Sequence, residues 1–201
     1  MSVLGSWNGS IVHATSISSI CLWTTQKKKP IFTQALAHGF NQAQSETEGL
    51  IETPRWITAI ASLRYSDLFA SGAFLFCINV FQCMNFISRL GSWEGDIRLW
   101  KLDSKLKAFS LIGTIPAAGF VNSLQLISTP KHAFPPTSWA LNHDGETMLT
   151  KQTQASSTKV NTILLVAGVG QEHRLGRWMK LSGDGVVNGT VVVALHPRTL
   201  A

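Results

Sequence analysis

The segment GSWEGDIRLW at residues 91–100 is repeated along the chain. A repeat constrains a fold more than any single element does, because each copy has to bury its apolar face against its neighbours. A counterpart near the start is split into GSWNG at 5–9 and SICLW at 19–23, which joined would read GSWNGSICLW. A looser third copy, AGVGQEHRLGRW at 167–178, follows the apolar run TILLV and has a turn one residue longer. Each copy combines a short apolar strand, a tight glycine-containing turn with an acidic or amide residue, and an alternating strand that ends in Trp. In DIRLWKL, Ile97, Leu99 and Lys101 point to one side and Arg98, Trp100 and Leu102 to the other. The copies read as hairpins. KPIFTQAL and WITAIASL precede the second hairpin, and KAFSLIGTI and FVNSLQLIS the third, which gives four strands per unit.

Four antiparallel strands ending in an aliphatic residue and Trp make a β-propeller blade of the WD-repeat type. The expected fold is all-β, a partial WD-repeat β-propeller of about three blades out of a larger ring. Trp23, Trp100 and Trp178 lie 77 and 78 residues apart, well beyond the roughly 40 to 45 of one such repeat. The polar, Pro-containing or Ser/Thr-rich stretches 41–55 and 129–159 absorb part of the excess as surface loops. The chain then divides into an incomplete blade (1–28), a blade with an insertion at 73–91 (29–106), a blade with the long loop 129–159 (107–182), and a closing strand and C-terminus (183–201). Trp23, Trp100 and Trp178 are core packing between blades in this reading, and Glu94 and Asn8 take the turn position where WD repeats carry Asp. Rings close at about four to eight blades, so three open blades would present two raw sheet edges.

Leu68 to Ser88 is a run of 21 residues without a charge. It has the length of a membrane span, but Asn79, Gln82 and Asn85 recur along it and its start belongs to a strand motif. A buried helix would place Phe74, Ile78, Phe81 and Asn85 on one face. A third reading takes residues 73–91, and 10–18 in the first hairpin, as translated non-coding sequence, because both interrupt the repeat at the same point.

The chain of 201 residues is 45% hydrophobic and 14% charged, enough for a packed core. Residues 1–97 carry 6 basic and 6 acidic side chains and residues 98–201 carry 11 and 5, so the net charge of +6 lies in the second half. That bias admits a polyanionic partner. Cys21, Cys77 and Cys83 form no C-x-x-C pair, and the six histidines lack metal-ligand spacing, so no metal or cofactor is expected. No nucleophile elbow, phosphate-binding loop or HExxH motif occurs, and the chain reads as a non-enzyme without a small-molecule substrate. The N-terminus does not resemble a secretory signal.

Several segments go beyond a generic propeller: KKKPIFTQALAHGF, PRWITAIASLRYSDLFASG, SWEGDIRLWKLDSKLKAFSLIGTIPAAGFVNSLQLIS and LLVAGVGQEHRLGRWMKL. Over roughly residues 1–9, 19–72, 92–128 and 160–199 the chain resembles the C-terminal part of the U3 small nucleolar RNA-interacting WD-repeat proteins. The resemblance implies a nucleolar, hence nuclear, subunit of the U3 small nucleolar ribonucleoprotein. Its partners would be the U3 RNA, box C/D ribonucleoprotein components and other proteins of the small-subunit processome, with no membrane involved. Arg and Lys pair with phosphate oxygens, Arg through two parallel hydrogen bonds. The candidate RNA contacts are therefore Arg174, Arg177 and Lys180 in EHRLGRWMK, Arg98 and Lys101 beside Trp100, and the run Lys27, Lys28 and Lys29. For each the alternative is a solvated side chain or a structural ion pair with Glu172 or Asp96. A propeller scaffold that binds only proteins, and a fragment without independent function, are the competing readings.

Overall fold

The computed structural model describes residues 10–15, 18–45, 48–74, 94–130, 162–173, 176–180, 186 and 188–195; for 10, 11, 14, 15, 43–45, 74, 94 and 176–179 only the backbone is described. Every regular element among them is a strand. The first sheet joins β1 (Ser10–Thr15), β2 (Ser19–Thr24) and β3 (Phe32–Gln34) in that order. The second is a full four-stranded antiparallel blade, β6 (Trp56–Ser62), β7 (Leu68–Phe74), β8 (Glu94–Leu102) and β9 (Phe109–Ala118). The third joins β10 (Phe120–Ser128), β11 (Ile163–Gly170) and β14 (Gly189–Leu195). Two small hairpins project between them, β4 (Phe40–Ser45) with β5 (Gly49–Pro54), and β12 (Glu172–His173) with β13 (Gly176–Lys180).

The middle blade buries both faces, and the period-two alternation of its strands sorts its side chains between two cores. Ala59, Ala70, Ile97 and Leu99 pack toward the third blade with Val121, Leu126, Leu165 and Ala167. Ile60, Phe69, Trp100 and Leu102 pack toward the first blade with Val12, Ile20 and Leu22. In β11, ILLVAGVG, Leu165, Ala167 and Val169 are the buried set that meets the middle blade, and the residues between them are partly buried. The middle and third blades meet so closely at Gly72 that a Cβ there would overlap the Val121 side chain. Only glycine fits that contact.

Four expectations change. Residues 10–15, read as part of an interruption, form β1 and pair with β2 over six positions from Ser10↔Thr24 to Thr15↔Ser19. SIVHAT can serve as a strand in its own right. The expected insertion at 73–91 starts later, because Ala73 is fully buried and pairs with Asp96, and Phe74 pairs with Trp56. The β7–β8 ladder is unbroken from Leu68↔Lys101 to Ala73↔Asp96, and the rest of the apolar run, residues 75–93, lies outside the described residues. No helix of the described residues is long and apolar enough to cross a membrane.

The stretch 41–55, expected to be a loop, is mostly the β4–β5 hairpin; Gly49, at φ +76°, supplies the left-handed turn residue, and the Gln42 amide donates to Glu52 across the strands at 2.8 Å. Finally, β11 pairs with β14, from Ile163↔Leu195 to Val169↔Gly189, and not with the strand that carries Trp178. GTVVVAL has the β-branched run that a blade strand needs, and GRWMK does not.

Candidate functional site

The connection from β3 to β4 brings His38 under the middle blade, where Nδ1 lies 2.7 Å from Asp96 Oδ1 and Nε2 lies 2.7 Å from Ser71 Oγ. The Trp100 indole N–H donates to the same Ser71 Oγ at 2.8 Å. Arg98 Nε donates to Asp96 Oδ2 at 2.9 Å, and its Nη1 donates to the Ala37 carbonyl at 2.7 Å. Arg55 lies 3.8 Å from the same carboxylate and donates through Nε to Asn41. An indole can only donate, so Ser71 accepts from Trp100. The Ser71 proton finds its acceptor in His38 Nε2 when the ring is neutral, the form that burial favours, and His38 then carries its proton on Nδ1 and donates it to Asp96. Neutral His38 is the form that fits.

The nucleophile, base and acid order Ser71–His38–Asp96 has the form of a catalytic relay. Ser71 is fully buried, however, and its oxygen is held on both sides, so this hydroxyl has no path to a substrate. The network instead ties three chain segments together at the mouth of the β7–β8 hairpin.

Burial is the main cause that lowers the His38 pKa from the usual 6.5, with Arg98 and Arg55 adding to it and Asp96 opposing it. For Asp96 burial acts upward, but the hydrogen bonds and charges of His38 and Arg98 outweigh it and leave the carboxyl below its usual 3.8. Both groups bind fewer protons folded than unfolded, so acidification destabilises the fold. Stability is expected to hold above pH 6.5 and to fall as pH drops from there through the depressed His38 value. A second loss sets in below 3.8. Thermal melts stepped from neutral into acid pH measure both, and His38→Gln, which cannot protonate, should remove the first loss and shrink the second to what Arg98 sustains. An unchanged first loss in that variant would assign it elsewhere.

The residues singled out from the sequence fall in different places. Trp100 is buried in the network. Trp23 alternates with Ile20 and Leu22, so it lies on the face of β2 away from the core shared with the middle blade, and its indole Nε1 is buried without a partner among the described residues. The register explains the difference: Trp23 faces Ile11 as Trp100 faces Phe69, and His13 takes the position that Ser71 takes. Arg98 is half-buried, and its guanidinium is engaged by Asp96 and the Ala37 carbonyl. Glu94 is the first residue of β8, and the acidic turn role expected of it belongs to Asp96, the residue that meets His38. Asn8 and Arg174 lie outside the described residues, and Arg177 and Trp178 are placed by backbone only.

Lys180 ends β13 and is exposed, as are Lys101 on β8 and Lys27, Lys28 and Lys29 in the turn from β2 to β3. The β12–β13 hairpin has a fixed base: Asn122 donates to the Glu172 carbonyl at 2.8 Å, Gln171 N–H donates to Asn188 at 2.9 Å, and the His173 ring meets Phe120 at 5.7 Å. At the β3–β6 junction the sequence hid an exposed apolar set, Phe40, Leu50 and Trp56, on the β4–β5 hairpin and just beyond it. Among the described residues no group of His, Cys, Asp or Glu gathers as a metal site.

No family model matches the chain. Ribosomal RNA-processing protein 9 of Saccharomyces cerevisiae is 28% identical over 188 residues, which cover 85% of this chain and 25% of that protein. The human U3 small nucleolar RNA-interacting protein 2 is 29% identical over 171 residues, 85% of this chain and 24% of the relative. The chain thus spans about a quarter of the length of these relatives. Among solved structures, that of U3-55K superposes with a TM-score of 0.59 at 25% identity, covering 96% of this chain and 41% of the other.

Proposed function

We propose that this chain, which is similar to U3 small nucleolar RNA-interacting WD-repeat proteins, acts as a non-catalytic RNA-binding subunit of the U3 small nucleolar ribonucleoprotein. Its place is the nucleolus and its process pre-ribosomal RNA maturation, beside box C/D and small-subunit processome proteins. The observation that carries the reading is the β12–β13 hairpin. The segment most specific to the family, GQEHRLGRW, projects from the third blade on an anchored base and leads to exposed Lys180. Arg174 and Arg177 belong to the same segment of the sequence.

Phosphate contacts release counterions, so affinity for U3 RNA should fall linearly with the logarithm of salt concentration. Arg174→Ala with Arg177→Ala is expected to weaken binding and to flatten that slope by roughly one to two units. Filter binding across a salt series measures both. A slope and affinity unchanged by the double substitution would remove these residues from the interface.

A second reading, a scaffold for proteins, is favoured by the β4–β5 hairpin. It exposes Leu50 and Phe40 beside exposed Glu48 and Glu52, a surface that repels RNA. Partners retained after RNase treatment would support that role.

A further inference from the structure

The end of the blades opposite the β4–β5 hairpin gathers positive charge from turns far apart in sequence. Lys27, Lys28 and Lys29 are exposed in the turn from β2 to β3, Lys105 and Lys107 in the turn from β8 to β9, and Arg64 in the turn from β6 to β7. Packing holds these turns side by side. Phe32 and Phe109, the first residues after the two lysine turns, meet edge to face at 4.9 Å. Leu106, inside the second turn, packs into the same aromatic core. The Leu102 N–H donates to the Asp67 carbonyl at 2.8 Å, which fixes the third turn to the end of β8. Asp67 and Asp103 are the carboxylates in the second and third turns, so cations dominate this end.

In the third of these turns stands Tyr65, the one tyrosine of the chain, fully exposed and at φ +58°. That backbone region suits glycine or asparagine and is strained for a bulky residue. Here an aromatic ring occupies a costly position and gains no burial in return. Charge for phosphates around a free ring face is the combination that single-stranded nucleic acid uses, because unstacked bases offer their faces to aromatic side chains.

We infer that Tyr65 stacks on a base of single-stranded RNA whose phosphates are held by Arg64 and the lysines of the two neighbouring turns. The inference rests on the RNA-binding reading above and adds a second contact surface, distinct from the β12–β13 hairpin. Duplex RNA keeps its bases stacked and would engage the cations without the ring.

The test titrates the 201-residue chain against fluorescently labelled oligouridine across a salt series, with duplex RNA and polyglutamate as competitors. Tyr65→Ala is expected to weaken oligouridine binding about tenfold, the loss of one stacked base, with the salt slope unchanged. Tyr65→Phe should bind as the unsubstituted chain does. Lys105→Ala with Lys107→Ala should flatten the slope by roughly one to two units. Tyr65→Asn is the control for folding: relief of the left-handed strain should raise the thermal midpoint by about 2 °C while binding weakens. Incorporated 3-fluorotyrosine gives a single fluorine resonance that should shift with oligouridine.

Normal salt-dependent binding of oligouridine that ignores Tyr65→Ala overturns the stacking inference and leaves RNA binding standing. Equal competition by polyglutamate, with Tyr65 indifferent, overturns it in favour of an acidic protein. U3 RNA binding with no oligouridine binding also overturns it, and failure of every RNA to bind removes both readings.

Discussion

Asp96→Ala is expected to lower the unfolding free energy by about 3 to 5 kcal/mol, the range for removing one partner from a buried charged pair. The carboxylate accepts from His38 at 2.7 Å and from Arg98 at 2.9 Å, with Arg55 at 3.8 Å. Without it the buried Nδ1–H of His38 has no acceptor. The side chains of Arg98 and Arg55 are 24% and 27% exposed, so water relieves part of their loss and the lower half of that range is the better expectation. Asp96→Asn keeps an oxygen for His38 but loses the charge that holds Arg98, and should cost about 1 to 3 kcal/mol. Urea denaturation followed by circular dichroism measures both. A change under about 0.5 kcal/mol for Asp96→Ala, the level of an ordinary surface site, would show that the network does not hold the blade.

The loss should also be cooperative. Asp96 lies on β8, His38 in the connection after β3 and Ser71 on β7, so one side chain couples the first blade's exit to the middle hairpin. A cycle that combines Asp96→Ala with His38→Leu should return part of the cost, since the His38 Nδ1–H is removed along with its acceptor and the Ser71 hydroxyl is the buried donor left without its partner. Simple addition of the two single effects would mean that the groups act independently.

This coupling marks the limit of what the sequence disclosed. Local pattern was legible: the apolar and aromatic alternation in DIRLWKL predicted which side chains of β8 face each way, and the two cores follow that division. The strands SICLW and DIRLW were legible for the same reason. Partner choice was less so. His38 and Asp96 are 58 residues apart, and nothing in the turn GSWEG says that Asp96, and not Glu94, meets the imidazole; the register decides it by placing Asp96 opposite Ala73, at the end of the ladder. Likewise AGVGQEHRLGRW reads as one continuous hairpin, yet β11 takes β14 because GTVVVAL makes a better ladder and leaves EHRLGRW to project. The basic end was legible only in part. Lys27 to Lys29 stand out in sequence, whereas Lys105 and Lys107 join them only through the contact of Phe32 with Phe109, and Arg64 and Tyr65 only through the bond from Leu102 to Asp67.

Trp100→Ala is expected to cost about 3 to 5 kcal/mol, and its comparison with Trp100→Phe separates packing from hydrogen bonding. The indole ring lies parallel to Phe69 with centroids 6.2 Å apart and meets Phe109 edge to face at 5.5 Å. Phe109 in turn meets Phe69 at 5.2 Å and Phe32 of the first blade at 4.9 Å. Removing the indole therefore opens a cavity at the centre of the core shared by the first two blades. Phenylalanine would refill much of that volume but cannot donate to Ser71, which still has His38 as a partner, so the cost should shrink to about 1 to 2 kcal/mol. Protection of β2 and β3 amides against hydrogen exchange should fall in the alanine variant and persist in the phenylalanine variant, because β3 reaches the middle blade through Phe32. Equal destabilisation by both substitutions would assign the stability to the single N–H bond. Protection of β3 that survives Trp100→Ala would show that the first blade is held by His38 and the β2 side chains and not by the aromatic cluster.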